Sequence, residues 1–283
     1  MTFPPFTILS PTGPSAPLIV DSPHSGRIYP DDFDFECSLD VLRQTEDSYV
    51  DELVSSAMRA GAIVISAQFP RSYIDVNRAE DDIDPALLAA PWPTPLAPSD
   101  RTLLGLGLVR RLCKSNVPVY RAPLPVAEVQ KRIRDYYRPY HAVLEKTVNQ
   151  RVTQFGECYL VDCHSMPGKG TEHATSMRPD FVLGDRDGAS SDPAFTGRVC
   201  VLLREMGYSV ALNDPYKGVE IVRRYGKPHH GQHALQLEIN RRLYMNEQTL
   251  EKNAGFVRLQ NDLADLFRAL ATDLMQQMPM AAE

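Results

Sequence analysis

Short apolar runs recur along the chain at 17–21, 62–66, 158–162, 180–183, 209–213 and 234–239, separated by longer stretches in which apolar residues return every three or four positions. Compact apolar runs bounded by turn-forming residues read as buried strands, and recurrences at three and four read as amphipathic helices. The clearest helical patterns are Val126, Val129, Ile133, Tyr136, Tyr140, Val143, Leu144 and, near the end, Phe256, Leu259, Leu263, Leu266, Leu270, Leu274. Strands alternating with helices predict an α/β fold: one domain over 1–283, built on a mixed, mostly parallel sheet with helices on both faces and its ligand beyond the carboxyl ends of the strands. Residues 81–101 break the rhythm with five prolines and the only tryptophan, Trp92. Proline at that density excludes a regular helix or inner strand, so the stretch reads as a surface excursion, either a rigid loop or a lid.

A chain of 283 residues, 43% hydrophobic and 23% charged, is long enough to bury a sizeable core. Its net charge of -6 comes without a basic run, which argues against nucleic acid as a partner. No stretch approaches the roughly 20 apolar residues that span a bilayer. The segment Met1-Thr2-Phe3-Pro4-Pro5-Phe6 lacks the charged and apolar regions of a signal peptide, so a cytoplasmic protein is expected. The cysteines Cys37, Cys113, Cys158, Cys163 and Cys200 are odd in number and scattered, with no CxxC pair, and read as reduced thiols.

Chemistry enters at two strand ends. Leu18-Ile19-Val20-Asp21-Ser22-Pro23-His24 and Tyr159-Leu160-Val161-Asp162-Cys163-His164 each carry an imidazole to the end of an apolar run, and each histidine is followed by serine. Either could be a satisfied buried polar group, but together they suit a metal or catalytic site at the open edge of a sheet. A zinc site of the hydrolytic type needs three protein ligands. A helix opening around Thr45-Glu46-Asp47 is expected to supply the third, with Asp47 chosen from its spacing to Val50 and Asp51, and Glu46 as its rival. Glu238, a carboxylate inside the apolar strand Leu235-Gln236-Leu237-Glu238-Ile239, is the candidate general base, against the plainer reading of a salt bridge to Arg241 or Arg242. Arg71 to Arg78 offers guanidiniums for an acidic substrate or for ion pairs with the acids at 80–84, and the loop 177–188 adds Arg178 and Arg186. In His229-His230-Gly231-Gln232-His233, neighbouring side chains diverge and chelate one ion poorly, so only His233 is placed near substrate. His141 and His173 read as structural or supporting. Cys163 as nucleophile is the rival chemistry, opposed by the divergence of Cys163 and His164 along a strand.

Taken in order, Asp21-Ser22-Pro23-His24-Ser25-Gly26, Thr45-Glu46-Asp47, Asp75-Val76-Asn77-Arg78, Asp162-Cys163-His164-Ser165-Met166-Pro167, Asn213-Asp214-Pro215-Tyr216-Lys217-Gly218 and Leu237-Glu238-Ile239-Asn240-Arg241 resemble the N-formylglutamate amidohydrolase family from about residue 17 to 245. The resemblance implies a zinc-carboxypeptidase-like fold of the phosphorylase/hydrolase type. It also implies one zinc, or another divalent metal, held by His24, Asp47 and His164, with Glu238 as base and Asn77 and Arg78 on a substrate carboxylate. Arg186 and His233 are added here as further substrate contacts. The implied reaction is hydrolysis of N-formyl-L-glutamate to formate and L-glutamate within histidine breakdown. The alternatives are a zinc amidase or carboxypeptidase acting on another N-acyl amino acid or peptide, or a non-catalytic carboxylate-binding relative. One departure is plain: the His-x-x-Glu spacing of carboxypeptidases is absent, since Arg27 stands three residues after His24.

Overall fold

The computed structural model describes residues 3–113, 116–169 and 177–277; His173 lies outside them. The strands are β1 (Phe6–Leu9), β2 (Leu18–Ser22), β3 (Ile63–Ala67), β4 (Cys158–Met166), β5 (Phe181–Gly184), β6 (Val210–Leu212) and β7 (Gln232–Asn240). The helices are α1 (Leu39–Arg43), α2 (Val50–Val54), α3 (Asp100–Leu103), α4 (Val126–Arg132), α5 (Arg138–Phe155), α6 (Pro193–Glu205), α7 (Glu220–Tyr225) and α8 (Phe256–Gln277). All seven strands form one sheet in the order β1-β3-β2-β4-β7-β5-β6. The pairs β2–β4, β4–β7 and β5–β6 are parallel and β5–β7 is antiparallel, so the sheet is mixed and mostly parallel. Each apolar run of the sequence became a strand, because central parallel strands are covered on both sides and read as nearly continuous hydrophobic stretches.

The differences from the sequence pattern have physical causes. The run at 126–144 extends to Phe155 and contains a π-turn at Ile133–Tyr137. Pro139, two residues beyond the turn, has no N–H to give to the carbonyl of Asp135 inside it and accounts for the irregularity. No helix opens at Thr45: residues 45–49 form a turn, Tyr49 takes φ 66°, and α2 starts only at Val50. Positive φ at a tyrosine cannot continue a helix. β4 and β7 outrun their apolar stretches, reaching Met166 and Asn240 with polar residues that are nonetheless buried. β1 lies outside the predicted runs; it is an edge strand whose Ile8 and Leu9 are exposed.

Packing divides the chain into two compact units. The second comprises Ile8–Ser22, Tyr49–Ile65 and Glu145–Glu283 and holds most of the sheet. On one face Val161 and Cys163 of β4 and Leu235, Leu237 and Ile239 of β7 meet Val50 and Leu53 of α2, Phe195 and Val199 of α6, and Leu259, Leu263, Leu266 and Leu270 of α8 in one core. By the two-residue period of a strand, Leu160, Asp162 and His164 of β4 and Ala234, Gln236 and Glu238 of β7 point to the other face, where α7 packs on β4 and β7. The first unit comprises Met1–Thr7, Pro23–Ser48 and Ser66–Leu144. There the fully buried Arg132 guanidinium lies 4.1 Å from the centre of the Tyr73 ring, donates through Nη1 to the Tyr73 carbonyl and the Tyr120 hydroxyl, and is neutralised through Nη2 by Glu128, so that only its Nε lacks an acceptor among the described residues. The proline-rich stretch is pinned in this unit: Asp82 accepts from Ser99 and Thr102, and its carbonyl accepts from Leu108 N–H.

Leu237 is fully buried in the middle of the sheet core. Truncation to Ala is expected to cost about 3 kcal/mol, read as a lower urea midpoint with an unaltered slope.

Candidate metal centre

In the first unit, the chain leaving β2 passes so close to a neighbouring backbone that a Cβ on Gly26 would lie 2.2 Å from the Phe69 carbonyl oxygen. Glycine is required there, and the tight passage fixes the turn that carries His24. The turn 45–49 is latched to it: Asp47 N–H donates to the His24 carbonyl at 3.0 Å, and Ser25 Oγ donates to the Asp47 carbonyl at 3.0 Å. These bonds bring the Asp47 carboxylate within 3.3 Å of His24 Nδ1. Glu46 turns elsewhere, accepting from the Tyr29 hydroxyl at 2.6 Å.

The other imidazole nitrogen explains the arrangement. His24 Nε2 lies 2.6 Å from Asp75 Oδ1, and Asp75 is fully buried. Burial by itself would raise the Asp75 carboxyl, but Arg71, His24 and Arg78 hold it well below the usual carboxylate range. An ionised carboxylate only accepts, so Nε2 carries a proton there, and Nδ1 is the ring nitrogen that faces Asp47. An imidazole nitrogen and a carboxylate oxygen at that distance can share a proton or a metal ion. A histidine fixed by a carboxylate behind it is the usual setting of an imidazole ligand. Asp75 also accepts from Arg71 through Nη2 at 2.8 Å and Nε at 3.2 Å, and from the Asn77 N–H at 3.0 Å. Asn77 and Arg78 are buried beside it.

In the second unit, His164 and Glu238 are register partners on the parallel strands β4 and β7. They stand side by side on one face, about 4.8 Å apart along the sheet. Both are buried, and Gln236 Nε2 donates to Glu238 Oε1 at 2.9 Å. Cys163 points to the opposite face into the hydrophobic core, where burial pushes its thiol well above the ordinary value. A protonated thiol packed among aliphatic side chains is no nucleophile.

Among the described residues, His24, Asp47 and His164 form the group able to hold a metal ion: each offers one ligand atom, and these atoms lie within 4.8 Å of one another. Two imidazoles and a carboxylate are a donor set suited to zinc in a hydrolytic site, which leaves a position for water or substrate.

Two residues placed at the site from sequence lie away from Glu238. His233 opens β7, five residues from Glu238, hence about 16 Å away and on the opposite face. Its ring stacks on Tyr159 at 4.6 Å and its Nδ1 accepts from the Asp192 N–H. Arg186 follows β5, whose antiparallel course sets Gly184 opposite Gln236 and carries the chain toward the start of β7. Arg178 bonds the Tyr216 hydroxyl, and His141 bonds the Val76 carbonyl within α5. His229 and His230 are exposed.

A mixed α/β sheet with buried imidazoles and carboxylates where its strands end has the layout of an α/β enzyme. The chain is a member of the N-formylglutamate amidohydrolase family, whose model matches residues 16–245. It is 31% identical over 266 residues to the N-formylglutamate deformylase of Pseudomonas aeruginosa, covering 93% of this chain and 92% of that one. The deformylase of Pseudomonas putida is 32% identical over 236 residues, or 82% of each chain. The crystal structure of N-formylglutamate amidohydrolase from Ralstonia eutropha JMP134 superposes with a TM-score of 0.94 at 46% identity, covering 97% of this chain and 99% of that one.

Burial holds the His233 imidazole below its ordinary pKa against the opposing pull of Glu157 and Asp192. The unfolded chain therefore takes up a proton that the folded chain refuses. The resulting loss of stability sets in as pH falls through the ordinary imidazole range. Urea midpoints at about pH 7.5 and about pH 5.5 are expected to fall less in His233→Phe than in the unaltered chain.

Proposed function

We propose that the chain hydrolyses N-formyl-L-glutamate to formate and L-glutamate at a single zinc held by His24, Asp47 and His164. The observation that carries this reading is the His24 imidazole, fixed through Nε2 by Asp75 so that Nδ1 faces Asp47. Zinc bound there would polarise the formyl carbonyl and acidify a water molecule.

The rest is work for the chain's own side chains. Glu238 accepts the proton of the attacking water, with its carboxylate oriented by the Gln236 amide, and then returns that proton to the departing amine nitrogen as the C–N bond breaks. Water thus supplies hydroxyl to the formyl carbon and hydrogen to the amine. Asn77 and Arg78 hold a carboxylate of the substrate; the buried Arg78 guanidinium has an Nε without an acceptor, which suits a bidentate partner. Arg186 and His233, set toward the start of β7, take no part in this reading. A cytoplasmic location and a place in histidine breakdown belong to the same proposal.

The test is formate release from N-formyl-L-glutamate, with N-formyl-L-aspartate and N-acetyl-L-glutamate alongside, before and after chelation and zinc readdition. Release that chelation abolishes, zinc restores and formylglutamate favours is expected. Metal-independent turnover would refute the mechanism, and preference for another acyl amino acid would refute the substrate. Glu238→Gln is expected to lose about a thousandfold in kcat while keeping its metal; full activity would remove Glu238 from the role of base.

A further inference from the structure

Arg110 occupies a position that its own neighbourhood does not explain. Its side chain is 11% exposed and the Asp75 oxygen it faces, Oδ2, is 3.7 Å away, beyond hydrogen-bonding distance. Asp75 has nothing left to offer: Oδ2 already accepts twice from Arg71, and Oδ1 accepts from His24 and from Asn77 N–H. The Nε atoms of both Arg110 and Arg78 are buried without an acceptor among the described residues. Burial, followed by repulsion from Arg71, draws the Arg110 guanidinium down to about 9, still charged at neutral pH. Arg132 shares the orphan Nε but has Glu128 to itself, whereas Arg110, 11% exposed, has no carboxylate within hydrogen-bonding distance among the described residues, an arrangement that is costly unless a ligand completes it.

The backbone holds Arg110 in place deliberately. Asp75 N–H donates to the Leu108 carbonyl at 2.7 Å, and Leu108 N–H donates to the Asp82 carbonyl at 2.8 Å, so the segment carrying Arg110 is tied to the segment carrying Asp75, Asn77 and Arg78. Neighbouring Arg111 turns away and pairs with Asp84 at 2.6 Å. Two arginines side by side in sequence thus differ in kind: one is neutralised by a carboxylate of the chain, the other is held beside a carboxylate whose acceptors are taken.

We infer that Arg110 is a second carboxylate-binding residue beside Arg78, and that the pair makes the chain select N-acyl amino acids whose side chain bears a carboxylate of its own. This rests on the proposed hydrolysis. It adds that selectivity for the acidic side chain is set by Arg110, a residue separate from the ligand group and from the general base. An amino-acid derivative with one carboxylate would satisfy only one of the two guanidinium forks and leave the other buried and unpaired.

The experiment compares kcat/KM for N-formyl-L-glutamate and N-formyl-L-glutamine, which differ in the side-chain charge at nearly equal shape. The unaltered chain is expected to favour the glutamate by about 100-fold, and Arg110→Met to lose most of that preference while its metal content matches the unaltered chain. A variant in which both values fall together, leaving the ratio as it was, would make Arg110 structural and overturn the inference. Should Arg110→Met fail to fold, a ratio near one in the unaltered chain would overturn it equally. If neither compound is hydrolysed, the proposed function fails, and calorimetry of the zinc-loaded chain with glutarate and butyrate decides Arg110 independently. Tighter binding of glutarate that Arg110→Met abolishes supports the inference, and equal binding of the two acids overturns it.

Discussion

A fully buried carboxylate is tolerable only when donors surround it, and Asp75 has them from His24, Arg71 and the Asn77 backbone. Each of these bonds organises something beyond Asp75 itself. The bond to His24 Nε2 fixes the imidazole's orientation and turns Nδ1 toward Asp47. The bond from Asn77 N–H fixes the loop that presents Asn77 and Arg78. Occupation of both oxygens leaves Arg110 beside a carboxylate it cannot use. The orientation of His24 and the placement of Asn77, Arg78 and Arg110 therefore depend on one buried carboxylate held in place by the fold.

The sheet contributes the complementary half. Parallel strands β4 and β7 keep strict register, so His164 and Glu238 stand at the same level with their side chains on the same face, while the alternate residues bury themselves against α2, α6 and α8. His164 and Glu238 at this spacing need no loop to position them. Rigid strands hold such groups more precisely than connecting segments do. The turn at 45–49, latched to His24 by two hydrogen bonds, gives Asp47 similar constraint without a helix.

What the sequence revealed follows the same physics. The strands were legible because buried parallel strands carry continuous apolar runs, and His24 and His164 stood out as polar residues where those runs end. Asp47 was reached through a helical spacing that does not exist, since the left-handed Tyr49 stops any helix before Val50. The role of Asp75 was hidden because its partner His24 is 51 residues away and no local pattern joins them. Arg110 was hidden for the same reason. His233 is separated from Glu238 by an odd number of positions, and the strand period sets the two on opposite faces. Arg186 depended on the direction of β5, which a short apolar run does not disclose.

In the proposed centre, two imidazoles and a carboxylate from three separate segments share one ion. X-ray absorption at the zinc edge of the zinc-loaded chain would read that ligand set. Two histidine nitrogens with the remaining ligands oxygen, at about 2.0–2.1 Å, are expected. A spectrum showing sulfur ligation, or a single imidazole, would contradict the proposed centre.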